Sequence, residues 1–175
     1  SDSDAMKVDM YFWLQALVLA LVALILLFTF VGRITPVVGE SMLPTLHEGD
    51  VMLIRDIGYT DPQPGDIVVL TKEFDAARGP IVKRIIAVEG QTVDIDYQTG
   101  AVYVDGEALD EPYLNEPMEE PWYEDLTSVT VPEGSVFVMG DNRNHSNDSR
   151  DVTLGTVDTR YLLGKAEVIC FPFSD

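Results

Sequence analysis

Phe12-Trp13-Leu14-Gln15-Ala16-Leu17-Val18-Leu19-Ala20-Leu21-Val22-Ala23-Leu24-Ile25-Leu26-Leu27-Phe28-Thr29-Phe30-Val31 divides this 175-residue chain into two physical problems. Only Gln15 and Thr29 are polar in these 20 residues, and none is charged. At about 1.5 Å of rise per helical residue, the run matches the roughly 30 Å hydrocarbon core of a bilayer. A core helix of a soluble domain shows a polar face, and this run shows none over five turns. A cleaved leader has a shorter apolar part and ends on a small-x-small site, whereas Phe28-Thr29-Phe30-Val31 closes this one. The sequence predicts a short tail over 1–10, a transmembrane helix over 11–31 and a separate domain over 32–175. Lys7 lies before the span among Asp2, Asp4 and Asp9, and Arg33 lies after it, so the flanking charges do not set the orientation.

The remainder reads as a mainly β domain. Short apolar runs at Val51–Arg55, Ile67–Leu70, Ile81–Val88, Thr92–Asp96, Val102–Val104, Ser135–Met139 and Ala166–Phe171 alternate with turn signals such as Gly65-Asp66, Glu89-Gly90 and Glu133-Gly134. Thr99-Gly100 and Asp105-Gly106 mark hairpin ends. Seven closely spaced strands with little helical periodicity predict a β-sandwich or barrel, and no internal repeat is visible.

Charge excludes one class of partner. Lys and Arg number 11 against 30 Asp and Glu, a net −19, so no nucleic acid is expected, because a phosphate binder needs basic groups to displace counterions. The stretch Asp105–Asp125 holds nine acidic residues and neither Lys nor Arg, and Pro112, Pro117 and Pro121 interrupt it. It has no Asp-x-Asp-x-Asp-Gly spacing for calcium and reads as a solvated excursion between strands. Cys170 stands alone, so it reads as a small buried hydrophobe.

Three places carry chemistry. Gly39-Glu40-Ser41-Met42-Leu43-Pro44-Thr45-Leu46 begins eight residues beyond the span. A serine before an apolar residue and a proline is also ordinary turn chemistry, but Gly39 gives the backbone freedom to approach a substrate closely. In Ile81-Val82-Lys83-Arg84-Ile85-Ile86-Ala87-Val88, period two places Lys83 on one face of a strand and Arg84 on the other. One of these cations is expected in apolar surroundings, unless both guard an edge strand. A desolvated lysine loses its proton more readily and in the neutral form can take a proton from a serine. Gly140-Asp141-Asn142-Arg143-Asn144-His145-Ser146-Asn147-Asp148-Ser149-Arg150 follows an apolar strand and reads as an ion-pair and hydrogen-bond scaffold. His47 and His145 read as solvated loop residues.

These segments, in order and together with Gly65-Asp66-Ile67-Val68, resemble the four sequence boxes of the type I signal peptidases, in their compact Gram-positive form. The resemblance covers essentially the whole chain. It implies a signal-peptidase-like β domain on one transmembrane helix, and a serine protease that cuts signal peptides from secreted preproteins. It implies Ser41 as nucleophile, Lys83 as general base and Ser146 as the serine that orients the lysine. Arg84 with Asp141, and Asp148 with Arg150, would be supporting ion pairs. With Gly39 two residues before the nucleophile, the oxyanion would rest on the Ser41 backbone N–H. Val37, Val38, Met42, Leu46, Ile81 and Val82 would line shallow pockets for small side chains, although the period-two reading keeps Ile81 and Val82 off a single wall. The resemblance implies no cofactor and no metal. It puts the N-terminus in the cytoplasm, the domain outside the plasma membrane, and the bilayer and a secretion translocon beside it. The alternatives are another Ser–Lys processing peptidase, pilin-specific or self-cleaving, and a non-catalytic membrane-anchored assembly module, which would be expected to lack Ser41 or Lys83.

Overall fold

In a computed structural model, residues 2–30, 32–56, 58–73, 79–121 and 125–171 are described. The apolar run forms the greater part of one helix, α1 (Asp2–Phe30). The most apolar window within Ser3–Thr29 has a mean hydropathy of 2.5, and none of it is covered by the rest of the protein. A helix this long, apolar and uncovered fits a single-pass membrane anchor.

Among the described residues eleven strands follow: β1 (Arg33–Pro36), β2 (Val51–Arg55), β3 (Ile67–Leu70), β4 (Ile81–Val88), β5 (Thr92–Asp96), β6 (Ala101–Val104), β7 (Glu107–Ala108), β8 (Ser128–Thr130), β9 (Ser135–Met139), β10 (Val157–Asp158) and β11 (Leu162–Phe171). They make a seven-stranded sheet in the order β1-β2-β11-β3-β4-β9-β10 and a four-stranded sheet in the order β7-β6-β5-β8, with antiparallel pairing throughout. The chain leaves the large sheet after β4, builds the small one, and returns as β9 beside β4.

All seven expected strands are present. β6 begins one residue earlier than expected, and β11 begins four residues earlier. β1, β7, β8 and β10 had no apolar run to announce them, because they are short or at sheet edges and their stability comes from pairing with a buried neighbour. Asp105-Gly106 forms the two-residue turn between β6 and β7, both residues having positive φ (51° and 82°).

β9 shows how the core is organised. Val136 and Val138 enter one apolar cluster with Val68, Leu70 and Ile85, whereas Phe137 and Met139 enter another with Val93, Val102 and Val131 of the small sheet and its connections. Period-two alternation thus buries both faces of this strand. A bulge at Ile86, between the pairs Ile85↔Val138 and Ala87↔Phe137, turns Ile86 and Ala87 toward the small sheet. A third cluster, with Val37, Met42, Leu46, Met52, Ile54 and Val69, lies under the segment between β1 and β2.

The acidic stretch corrects one expectation. Met118 is buried in the core, and the Glu111 carboxylate is enclosed against the fully buried Arg143 side chain. The stretch is a strap with an inward face, because buried guanidinium groups require counter-charges. Cys170 lies on β11, but its side chain is outside the described residues.

Candidate active site

The segment between β1 and β2 is closed at its neck by Val37 N–H to Asp50 O at 2.8 Å and Gly49 N–H to Val37 O at 3.0 Å. Val37, Met42 and Leu46 point inward and fix it to the core, leaving Ser41 on a tight turn between buried anchors. Gly39 has φ +86°, a left-handed conformation that disfavours a side chain even though the space around it is open. Among the described hydrogen bonds none uses the Ser41 N–H.

Lys83 sits in the middle of β4, opposite Val68 of β3. On the other side, pairing with β9 begins at Arg84↔Met139, so beside Lys83 the neighbouring strand has already turned away as Gly140. The side chain is 3% exposed and its Nζ lies 2.6 Å from Ser41 Oγ, with a second bond donated to Val82 O at 3.0 Å. Burial pulls the ammonium down from 10.5 to about 8; Asp148 opposes this, Arg150 reinforces it, and Asp141 opposes it.

The loop after β9 supplies the frame. Arg84 grips Asp141 with two bonds, Nε to Oδ1 at 2.8 Å and a terminal nitrogen to Oδ2 at 2.6 Å. Thr45 Oγ1 donates to the same Asp141 at 2.5 Å, and Asn142 donates its backbone N–H to Ser41 O and its side-chain amide to Glu40 O. Asp148 accepts from Arg150 Nε at 2.8 Å, from Gly140 N–H at 2.9 Å and from Ser146 Oγ at 2.7 Å. Burial alone would raise the Asp148 carboxyl, but the Arg150 guanidinium and these donors hold it below the usual carboxylate range. A direct Ser146–Lys83 bond is not among the hydrogen bonds of the described residues. Ser146 gives its proton to Asp148, which leaves its oxygen lone pairs able to accept from an ammonium.

A Cβ at Gly140 would meet Ser146 Oγ at 2.2 Å and Ser41 O at 2.5 Å. Only glycine lets the two loops approach this closely. Within the box Gly140–Arg150, no local pattern assigns Gly140, Asn142 or Arg143 an individual role. Thr45 belonged to a box without a partner, and Glu111 could not be singled out among nine acids.

The residues expected to line pockets do not share one wall. Val82 packs beside the cluster of Val37, Met42 and Leu46; Ile81 packs against the cluster of Val68 and Leu70; Val38 is exposed. The bland expectation for His47 and His145 matches two exposed residues.

A serine hydroxyl within hydrogen-bond reach of a buried lysine amine, held by an ion-paired loop on a β framework, is the arrangement of a Ser–Lys hydrolase. The signal peptidase, peptidase S26, family matches residues 10–171, so the chain belongs to that family of serine proteases. It is 41% identical to a Synechocystis sp. protein named "Probable signal peptidase I-1", over 90% of this chain and 81% of that protein. It is 34% identical to Bacillus subtilis signal peptidase I S, over 100% of this chain and 96% of the relative. A crystal structure of a signal peptidase I from Enterococcus faecalis V583 aligns with a TM-score of 0.49 at 33% identity, covering 62% of this chain and 98% of that one.

Proposed function

We propose that this chain is a membrane-tethered endopeptidase that removes N-terminal signal peptides from exported preproteins, with Ser41 as nucleophile and Lys83 as general base. The observation that carries this reading is the 2.6 Å approach of a buried Lys83 Nζ to Ser41 Oγ. In the neutral form the amine accepts the Ser41 proton as Oγ attacks the scissile carbonyl carbon. The Ser41 N–H receives the oxyanion. The C–N bond breaks as the Lys83 ammonium returns its proton to the leaving amine. Lys83 then takes a proton from water, the hydroxide attacks the acyl ester, and the proton returns to Ser41 Oγ as the carboxylic acid leaves. Ser146 and Asp148 orient and balance the ammonium form, and Arg84 with Asp141, and Asp148 with Arg150, hold the loops.

Residues 1–10 form a cytoplasmic tail, 11–31 cross the plasma membrane, and 32–175 form the extracytoplasmic catalytic domain. Ser41 stands about ten residues from the end of the span, so cleavage takes place at the bilayer surface, beside the translocon from which substrates emerge. Substrates carry small side chains at the first and third positions before the cut. Val37, Val38, Met42, Leu46, Ile81 and Val82 contribute to the surfaces that receive this segment, and Gly39 allows its close approach.

The test is incubation of the detergent-solubilised chain with a preprotein bearing Ala-x-Ala, followed by mass mapping of the cut. Cleavage after the second Ala is expected from the wild type and from His145→Ala, and loss of cleavage from Ser41→Ala and Lys83→Arg. Full activity of Lys83→Arg would overturn the dyad, since a guanidinium stays protonated at neutral pH.

A further inference from the structure

The acidic strap reaches the reaction centre at Glu111-Pro112-Tyr113, which lies outside the four sequence boxes. Arg143 has a fully enclosed side chain whose Nε donates to Gly140 O at 3.1 Å, while its two terminal nitrogens both donate to the Glu111 carboxylate. The Arg143 carbonyl accepts from Arg150 at 2.8 Å, and Arg150 in turn holds Asp148. Tyr113 donates its hydroxyl to Glu111 Oε1 at 2.9 Å, and its ring carries the Arg84 guanidinium 4.0 Å from the centroid. Burial, with the neighbouring Glu111 charge, pushes the Tyr113 phenol upward and keeps it a donor. One carboxylate therefore touches two groups that brace the site: Arg143, which is bonded to Gly140 in the loop after β9, and Tyr113, which carries the β4 arginine next to Lys83 in the chain.

We propose that Glu111 is a positioning residue for the Ser41–Lys83 pair, acting through the Arg143 guanidinium and, by way of Tyr113, through Arg84. It neutralises a cation that the catalytic loop cannot expose, and it fixes the direction of that cation. The charges bearing on Lys83 itself are Asp148, Arg150 and Asp141. Neither Glu111 nor Arg143 is among them, so Glu111→Gln reaches Lys83 through the placement of the loop and not through charge.

The inference rests on the Ser–Lys reading, which wild-type cleavage and its loss in Ser41→Ala establish separately. The experiment is steady-state cleavage of an Ala-x-Ala preprotein by the full chain in detergent, with pH profiles, for Glu111→Gln, Tyr113→Phe and Glu107→Gln. Glu107 lies on the exposed β7 turn of the same strap, so its variant is expected to match the wild type. For Glu111→Gln, kcat is expected to fall on the order of tenfold to a hundredfold with KM within about twofold, a range set by misplacement of reacting groups. The limb of the pH profile is expected to hold its wild-type position, because the charges bearing on Lys83 are unchanged. Wild-type kcat, a defect confined to KM, or a limb moving upward toward the ordinary lysine range would each overturn the proposal; the last would mark simple loosening and hydration of the site. If Glu111→Gln does not fold, Tyr113→Phe decides, since it keeps the ring over Arg84 and removes only the hydroxyl. A fall in kcat of about threefold or more supports the proposal, and a smaller change overturns it.

Discussion

Lys83 Nζ lies 2.6 Å from Ser41 Oγ, and the lysine that makes this approach is almost wholly withdrawn from water. Because burial holds the amine near 8, only about a tenth of it is neutral at pH 7 and about nine-tenths at pH 9. Cleavage rate under kcat/KM conditions is expected to rise with pH along a single limb centred near 8. A profile flat from pH 6 to 10 would remove Lys83 as the base.

The same burial has a cost in stability. Below pH 8 Lys83 is protonated in both folded and unfolded chains, and the penalty is fully present, about 3 kcal/mol for a depression from 10.5 to about 8. Between 8 and 10.5 the folded chain sheds its proton first, so its stability climbs. Lys83→Met is therefore expected to stabilise the domain by about 1 to 3 kcal/mol at pH 7 while abolishing activity. The gain should shrink as pH rises past 8, which urea unfolding at pH 7 and pH 10 measures.

Gly140→Ala places a carbon where Ser146 Oγ and Ser41 O already stand. Backbone on one side and a bonded hydroxyl on the other leave little room to relax. We expect a loss of about 2 kcal/mol or more, and activity down by at least about a hundredfold, read by thermal unfolding and cleavage of the same preparation.

Asp148→Asn keeps the shape but leaves Arg150 buried without its counter-charge. A destabilisation of about 3 to 5 kcal/mol is expected from chemical denaturation. Losing the carboxylate that favours the Lys83 ammonium should also move the pH limb below its wild-type position. An upward move would show that Asp148 does not act on Lys83 through charge.

What the sequence made legible follows the scale of the signal. The helix and the seven central strands have apolar patterns that no other state satisfies, and all are present. β1 and β10 were silent because edge strands borrow their order from β2 and β9. At the site, the residues with unusual chemistry stood out: a serine near the membrane, a lysine on an apolar strand, and a polar loop after β9. Period two placed Lys83 and Arg84 on opposite faces, and the structure encloses one with Ser41 and stacks the other on Tyr113. Glu111 was hidden because nothing local separates an acid that pairs with the buried Arg143 from the other acids of the stretch. Ile81 and Val82 kept their opposite faces, so the pocket residues divide between two clusters.

Asn142 donates its N–H to the carbonyl of Ser41, 101 positions earlier. A growing chain that has reached only β8 already contains both the hydroxyl and the amine, yet lacks every atom of the loop that holds them in register. Proteolytic competence therefore arrives late in synthesis, after residues 140–150 and then β11, which joins β2 to β3. A truncated copy tethered beside the same substrates would be an inert one.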